Sequence, residues 1–173
     1  MTNESAAHAT ATGQPASSDD HPGVIARPPR IAYLLLAIGA ILERLSPWPL
    51  WPAGWMAVSR HGLGAGLAAI GLILMTHAIR AFRRAGTNVE TPKPATALVT
   101  GGIYARTRNP MYVSLLLLFA AVAVFANSAW FALLLAIYLV VLRFGVIARE
   151  ERYLERKFGG AYGAYRAHVR RWF

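Results

Sequence analysis

Two apolar runs, PMYVSLLLLFAAVAVFA (residues 110–126) and AWFALLLAIYLVVLRFGVIA (129–148), separated by Asn127-Ser128, decide the fold. Pro110 suits the first turn of a helix, where its missing N–H costs nothing. Met111 to Ala126 carries no charge, and Arg143 is the sole charge between Ala129 and Ala148. Two long apolar helices joined by so short a turn must be antiparallel neighbours. A helix needs about 20 largely apolar residues to cross a bilayer core, so the pair reads as a transmembrane hairpin.

Upstream, residues 62–81 form another apolar segment, with Gly62, Gly64, Gly66 and Gly71 along its first half. No strand precedes them and the G-x-G-x-x-G spacing is absent, which excludes a nucleotide loop. Small residues that let membrane helices approach closely explain them better. His77 has no second ligand four residues on and reads as a packed or hydrogen-bonded side chain. A further segment begins at Ile31 and meets Glu43 and Arg44 before LSPWPLWPAGW (45–55), whose tryptophans resemble an interfacial belt. A span over about 31–50 must place these two ionisable residues on different faces, each finding a partner on another helix or snorkelling outward. Residues 1–26 are rich in Ala, Ser and Thr and read as a disordered tail; they fit neither a secretory signal nor a mitochondrial presequence.

Composition agrees with this. The chain of 173 residues is 55% hydrophobic and 15% charged, with net charge +10 and no cysteine; its mean hydropathy is +0.38. Soluble domains carry about 25% charged residues. A disulfide scaffold and a thiolate metal site are excluded, and no metal site is expected. The basic charge suits a nucleic-acid binder, but such domains do not intersperse it with long apolar runs. Fifteen of the eighteen basic residues lie in the N-terminal flank (Arg27, Arg30), in 80–108 and in 149–171. By the positive-inside rule these segments share the cytoplasmic side. The expectation is an all-α integral membrane protein: one domain over 27–173, four spans (about 31–50, 62–81, 110–126, 129–148) and both termini cytoplasmic. Segments 82–109 and 149–173 then face the cytoplasm, in a bacterial inner membrane.

Those cytoplasmic segments carry more than solvated charge. Before the hairpin stands Gly102-x-Tyr104-x-x-x-Arg108-Asn109-Pro110-Met111-Tyr112; after it, Glu150-Glu151-x-x-Leu154-x-x-x-Phe158-Gly159-x-x-Tyr162-x-x-Tyr165. The paired motifs resemble the isoprenylcysteine carboxyl methyltransferase family, which includes phospholipid methyltransferases; the resemblance covers about 82–173. It implies an integral membrane enzyme using S-adenosylmethionine, with a hydrophobic or lipid-linked acceptor. It also implies cofactor contacts from Leu98, Gly101 and Tyr104, from Arg108, Asn109 and Tyr112, from the acidic pair Glu150 and Glu151, and from Tyr162 and Tyr165. Asn109 stands where the family has a histidine; asparagine makes hydrogen bonds but does not titrate near neutral pH, which speaks against proton transfer there.

Glu150, Glu151 and Arg143 are the candidate catalytic residues. An arginine inside a span is costly unless paired, so Arg143 is expected to face the site or a glutamate. His168 is a candidate base or an exposed terminal histidine, and for Glu155, Arg156 and Lys157 an ordinary salt-bridged helix end is the alternative to a role at the site. Two other functions fit the same scaffold, a nicotinamide-dependent membrane reductase and a non-enzymatic lipid-binding or interaction module.

Overall fold

The computed structural model describes residues 23, 26–52, 57–87 and 95–173. Nearly all of the tail expected over 1–26, together with Trp55 and Lys93, lies outside them. The described residues are helical and contain no strand: α1 (Pro28–Leu45), α2 (Ala57–Arg84), a 3-10 turn (Gly102–Ala105), α3 (Pro110–Ala126), α4 (Ala129–Val140), a π-helical stretch (Val141–Ile147) and α5 (Ala148–His168). Prolines open α1 and α3 at their first turns, where no donor is lost.

Two helical stretches, Val58–Arg84 and Ala129–His168, are long and apolar enough to cross a membrane. The first apolar segment stops earlier than residue 50. Its last helical bond runs from the Ser46 N–H to the Leu42 carbonyl at 2.8 Å, because Pro47 and Pro49 cannot continue it. At about 1.5 Å per residue, α1 is about 27 Å long.

The hairpin forms between α3 and α4. Asn127 takes the left-handed conformation at φ 51°, and its side chain holds the Trp-Pro segment. Its Oδ1 accepts the Trp51 N–H and its Nδ2 donates to the Trp51 carbonyl, both at 3.1 Å. Ser128 Oγ donates to Glu43, the partner expected for an acidic residue placed within an apolar run. Trp48 and Trp130 meet edge to face at 5.2 Å, and Trp130 Nε1 donates to the Ser46 carbonyl at 2.7 Å. One end of the bundle is thus closed by aromatic rings and satisfied backbone.

The core runs along α3, α4 and the π-helical stretch: Phe119, Phe131, Leu134, Tyr138, Leu142, Val146 and Ile147 are buried together with Ala32 of α1. Tyr138 is fully enclosed and donates to the Pro28 carbonyl at 3.0 Å, fixing the start of α1. Helix α2 lies along α3 with Gly71 at the seam, where a Cβ would stand 3.1 Å from both the Ser114 carbonyl oxygen and Leu118 Cγ. A Cβ at Gly64 would press on the Phe125 ring at 3.0 Å, whereas Gly62 and Gly66 face open space. Close approach therefore explains two of the four glycines. Gly71→Val is expected to destabilise the fold by about 1–3 kcal/mol through overpacking. Gly66→Ala should be neutral or stabilise by up to about 1 kcal/mol through helix propensity. Thermal melts in detergent separate the two.

Candidate active site

At the end of the bundle opposite the tryptophans, the chain enters α3 through the 3-10 turn. Gly102, at φ 64°, turns the backbone in a way an L side chain resists, and the Tyr104 N–H closes onto the Gly101 carbonyl at 3.2 Å. Tyr104 is thereby buried against Phe82 of α2, ring centroids 5.3 Å apart. Asn109 occupies the N-cap of α3 without capping it. Its Nδ2 instead donates to the Arg171 carbonyl at 3.1 Å, as does Thr107 Oγ1 at 3.1 Å. The Arg108 N–H donates to the Arg170 carbonyl at 3.0 Å. The last residues of the chain are strapped across the start of α3 by three hydrogen bonds, and Trp172 rests against the core.

Across from this strap, the π-helical stretch delivers the chain into α5. Its bonds span five residues rather than four, and the wider turn resets the phase in which the acidic pair emerges. Glu150 accepts the Tyr112 hydroxyl at 2.7 Å. Glu151 is gripped by Arg171, Nη2 at 2.6 Å and Nε at 3.1 Å, with Arg108 Nη2 at 3.3 Å. Gly159, at φ 50°, kinks α5 so that Tyr162 and Tyr165 return to the site. Tyr162 accepts from Arg108 Nη1 at 3.5 Å, and Tyr165 donates to the Tyr104 carbonyl at 2.7 Å.

These side chains enclose a cavity of about 40 Å3. Tyr104, Arg108, Asn109, Tyr112, Glu150, Glu151 and Tyr162 line it, joined by Phe82, Met111 and Leu154. The motif residues before and after the hairpin therefore converge, although 38 positions separate Tyr112 from Glu150. Leu98 is half-buried and Gly101 exposed on the approach to the 3-10 turn; neither lines the cavity, and Tyr165 stands behind it.

Arg143 lies elsewhere. It is exposed, with its guanidinium 5.5 Å from the Phe144 ring centroid, and it neither lines the cavity nor forms an ion pair with a glutamate among the described residues. His168 is exposed, with Nδ1 2.8 Å from the Ala164 carbonyl. His77 makes the corresponding helical contact, 2.9 Å to the Ile73 carbonyl. Glu155 and Arg166 form an exposed pair at 3.2 Å, while Lys157 sits over the Tyr153 ring.

The two glutamates are not equivalent. Burial pushes the Glu150 carboxyl above its ordinary range, opposed by the Tyr112 hydrogen bond and reinforced by the charge of Glu151. The hydrogen bond to Glu151 raises the Arg171 guanidinium further. Burial, then the charge of Glu151, pushes Tyr162 up to about 12, and burial followed by the Glu150 charge raises Tyr104. A raised folded pKa means that Glu150 favours folding most below the ordinary value near 4.5 and loses that contribution as pH climbs through the folded value. Glu150→Gln keeps an acceptor for Tyr112 and cannot ionise. Its melting temperature relative to wild type should therefore rise as pH increases from about 4.5, as read by thermal melts across a pH series.

Sequence reasoning missed Arg171, Thr107 and Phe82. Arg171 lay hidden among basic residues read as orientation charge. The signal that marks it is the apolar Trp172-Phe173 directly after, which suits docking rather than solvation.

A stretch of 62 residues, 36% of this chain, is 44% identical to an uncharacterized protein of Haemophilus influenzae and covers 98% of that protein. No solved structure matches. The family model for phospholipid methyltransferases matches residues 59–161, which takes in nearly all of α2, then α3, α4 and the acidic pair, and leaves α1 and the strap outside. With more than half of the chain matched, and with both motifs meeting at one cavity, the protein belongs to the phospholipid methyltransferase family.

Proposed function

We propose that this protein is an integral membrane methyltransferase that uses S-adenosylmethionine and passes the methyl group to a hydrophobic or lipid-linked acceptor. The observation that carries this reading is the meeting of the two motif segments, from opposite sides of the hairpin, around one half-open cavity. The donor set suits the cofactor: a carboxylate and tyrosine rings for its cationic groups, an arginine for its carboxylate. Two buried polar atoms on the lining, Tyr104 Oη and Arg108 Nε, also await a partner among the described residues. When bound, the cofactor supplies an electrophilic methyl on a sulfonium.

This chain's residues would then do the positioning, which dominates a one-step displacement. Glu151, clamped between two arginines, fixes the direction of both guanidinium groups. Glu150 uses Oε2 for Tyr112 and leaves Oε1 to hold or accept a proton. The backbone from Leu98 to Tyr104, which approaches the cavity and reaches it at Tyr104, would lie on the adenosine side. A ligand larger than the 40 Å3 cavity enters by displacing side chains at its mouth.

The placement in the membrane belongs to the same reading: four spans, both termini cytoplasmic, in a bacterial inner membrane. The grouping of basic residues at 27–30, 80–108 and 149–171 supports it. Arg143, exposed about two turns before Glu150, then serves as a snorkelling residue near the cytoplasmic headgroups. Calorimetric titration of the detergent-purified chain with S-adenosylhomocysteine tests the proposal. Saturable binding is expected; folded protein that shows none sinks it. Labelled methyl donor with a panel of lipid acceptors then identifies what is methylated.

A further inference from the structure

Helix α5 carries Arg149, Arg152 and Arg156 at intervals of three and four residues, all exposed, so they form one row along the helix. Its backbone keeps helical angles from Ala148 until Gly159, and the row therefore extends about 10 Å along the axis at about 1.5 Å per residue. Glu150, Glu151 and Leu154 line the cavity from another side of the same helix. Like charges at this spacing repel one another and weaken a helix. None of the three arginines forms an ion pair with an acidic residue among the described residues.

Few acidic residues are left to relieve that repulsion. Of the chain's eight, Glu43 accepts Ser128 at the tryptophan end, Glu150 and Glu151 are held by Tyr112 and by two arginines, and Glu155 faces Arg166. Glu4, Asp19, Asp20 and Glu90 remain. Position separates them. Arg149 Nη1 donates to the Gly23 carbonyl at 2.9 Å, which brings the chain before α1 to the first arginine of the row. Asp20 and Asp19 stand three and four residues before Gly23, and that length of extended backbone reaches about 10–14 Å, enough to follow the row. Glu4 lies far earlier in the tail, and Glu90 belongs to the segment between α2 and the 3-10 turn.

We propose that the row Arg149, Arg152 and Arg156 is the docking surface for this chain's own Asp19-Asp20 segment, which fastens the N-terminal tail along the helix that bears Glu150 and Glu151. The direction of the row favours this occupant over an anionic bilayer. In the membrane placement proposed above, α5 leaves the headgroups near Arg149 and carries Arg156 about 10 Å beyond. A flat layer meets such a row end-on, whereas an extended segment lies along it. The Gly23 contact and the charge match rest neither on that placement nor on the methyl-donor reading. The tail and α1 lie outside the residues that the family model matches, so the docking belongs to a part of the chain that the family model does not cover.

The chain has no cysteine, so Ser18→Cys gives a single attachment point for a nitroxide beside the acidic pair. Full-length labelled protein in neutral detergent is read by electron paramagnetic resonance at about 0.01 M and about 1 M salt, between which the screening length falls from about 30 Å to about 3 Å. A slowed spectral component is expected at low salt and should be lost at high salt. It should fall about fivefold in Arg152→Gln/Arg156→Gln, the population shift of two exposed ion pairs. Arg30→Gln, at an exposed arginine of α1, should leave it unchanged. Arg152→Glu/Arg156→Glu should abolish it, and adding Asp19→Arg/Asp20→Arg should restore it, which a misfolded α5 would not allow. A label that tumbles freely at low salt overturns the docking, as does a slow component that ignores the α5 substitutions or falls equally with Arg30→Gln. A slow component that disappears on dilution puts the tail on a second copy and overturns it too. So does a freely tumbling label in protein whose retention of phosphatidylglycerol, by native mass spectrometry, falls when Arg152 and Arg156 are replaced, which gives the row to anionic lipid.

Discussion

Glu151→Gln is expected to lower affinity for S-adenosylhomocysteine by at least about 100-fold and to reduce the melting temperature of the ligand-free protein. Glu151 and Arg108 have side chains 12% and 11% exposed, and Arg171 is 29% exposed. Removing one member of such a buried cluster leaves cations without their counter-charge, which costs about 3–5 kcal/mol. The substituted amide would offer one carbonyl where a carboxylate now serves two arginines, and its N–H donors would face guanidinium groups. Arg108 would lose its fixed direction, and with it the cavity wall. The control is Glu155→Gln at the pair with Arg166, whose side chains are 50% and 48% exposed. Exposed pairs are worth about 0–1 kcal/mol, so neither binding nor melting should move appreciably. Calorimetry and thermal melts on both variants check this; equal effects at Glu151 and Glu155 would contradict the assignment.

Ending the chain after Val169 is expected to be comparably severe. It removes the Arg170 carbonyl that receives the Arg108 N–H, the Arg171 carbonyl that receives Thr107 and Asn109, the guanidinium on Glu151, and Trp172 against the core. Affinity for S-adenosylhomocysteine should fall about 100-fold or more, and carboxypeptidase should digest inward from Val169 unhindered. Asn109→Ala is the graded counterpart. It deletes one of the two bonds to the Arg171 carbonyl, about 1 kcal/mol, and should speed release of Phe173 and Trp172 from the intact chain about fivefold. Unaltered carboxypeptidase rates in Asn109→Ala would show that the strap is held by other contacts. Asparagine at this position thus has a physical task, donating to the Arg171 carbonyl, that involves no proton transfer, which agrees with its inability to titrate.

The motif reading gathered most of the cavity wall, since Tyr104, Arg108, Asn109, Tyr112, Glu150, Glu151 and Tyr162 all reach it. It could not separate those residues from Leu98, Gly101 and Tyr165, because a motif records spacing along the chain and not direction in space. Arg143 illustrates the same limit. An arginine in an apolar run signals that its charge must be satisfied, but whether it turns inward or outward depends on helix phase, and the π-helical turn sets that phase.

Local and periodic features were fixed by the amino-acid order itself: apolar helices, proline starts, the Asn127-Ser128 reversal, and the concentration of positive charge in two segments. Each depends on near neighbours in the chain. Tertiary structure alone decided which glycines meet another helix, how Glu150 and Glu151 divide into a carboxyl buried against a tyrosine and one held by two arginines, and that the C-terminus closes the site through Arg171. Each of these depends on burial and on partners some 20 to 64 residues away, and desolvation in a folded interior has no counterpart in a linear sequence.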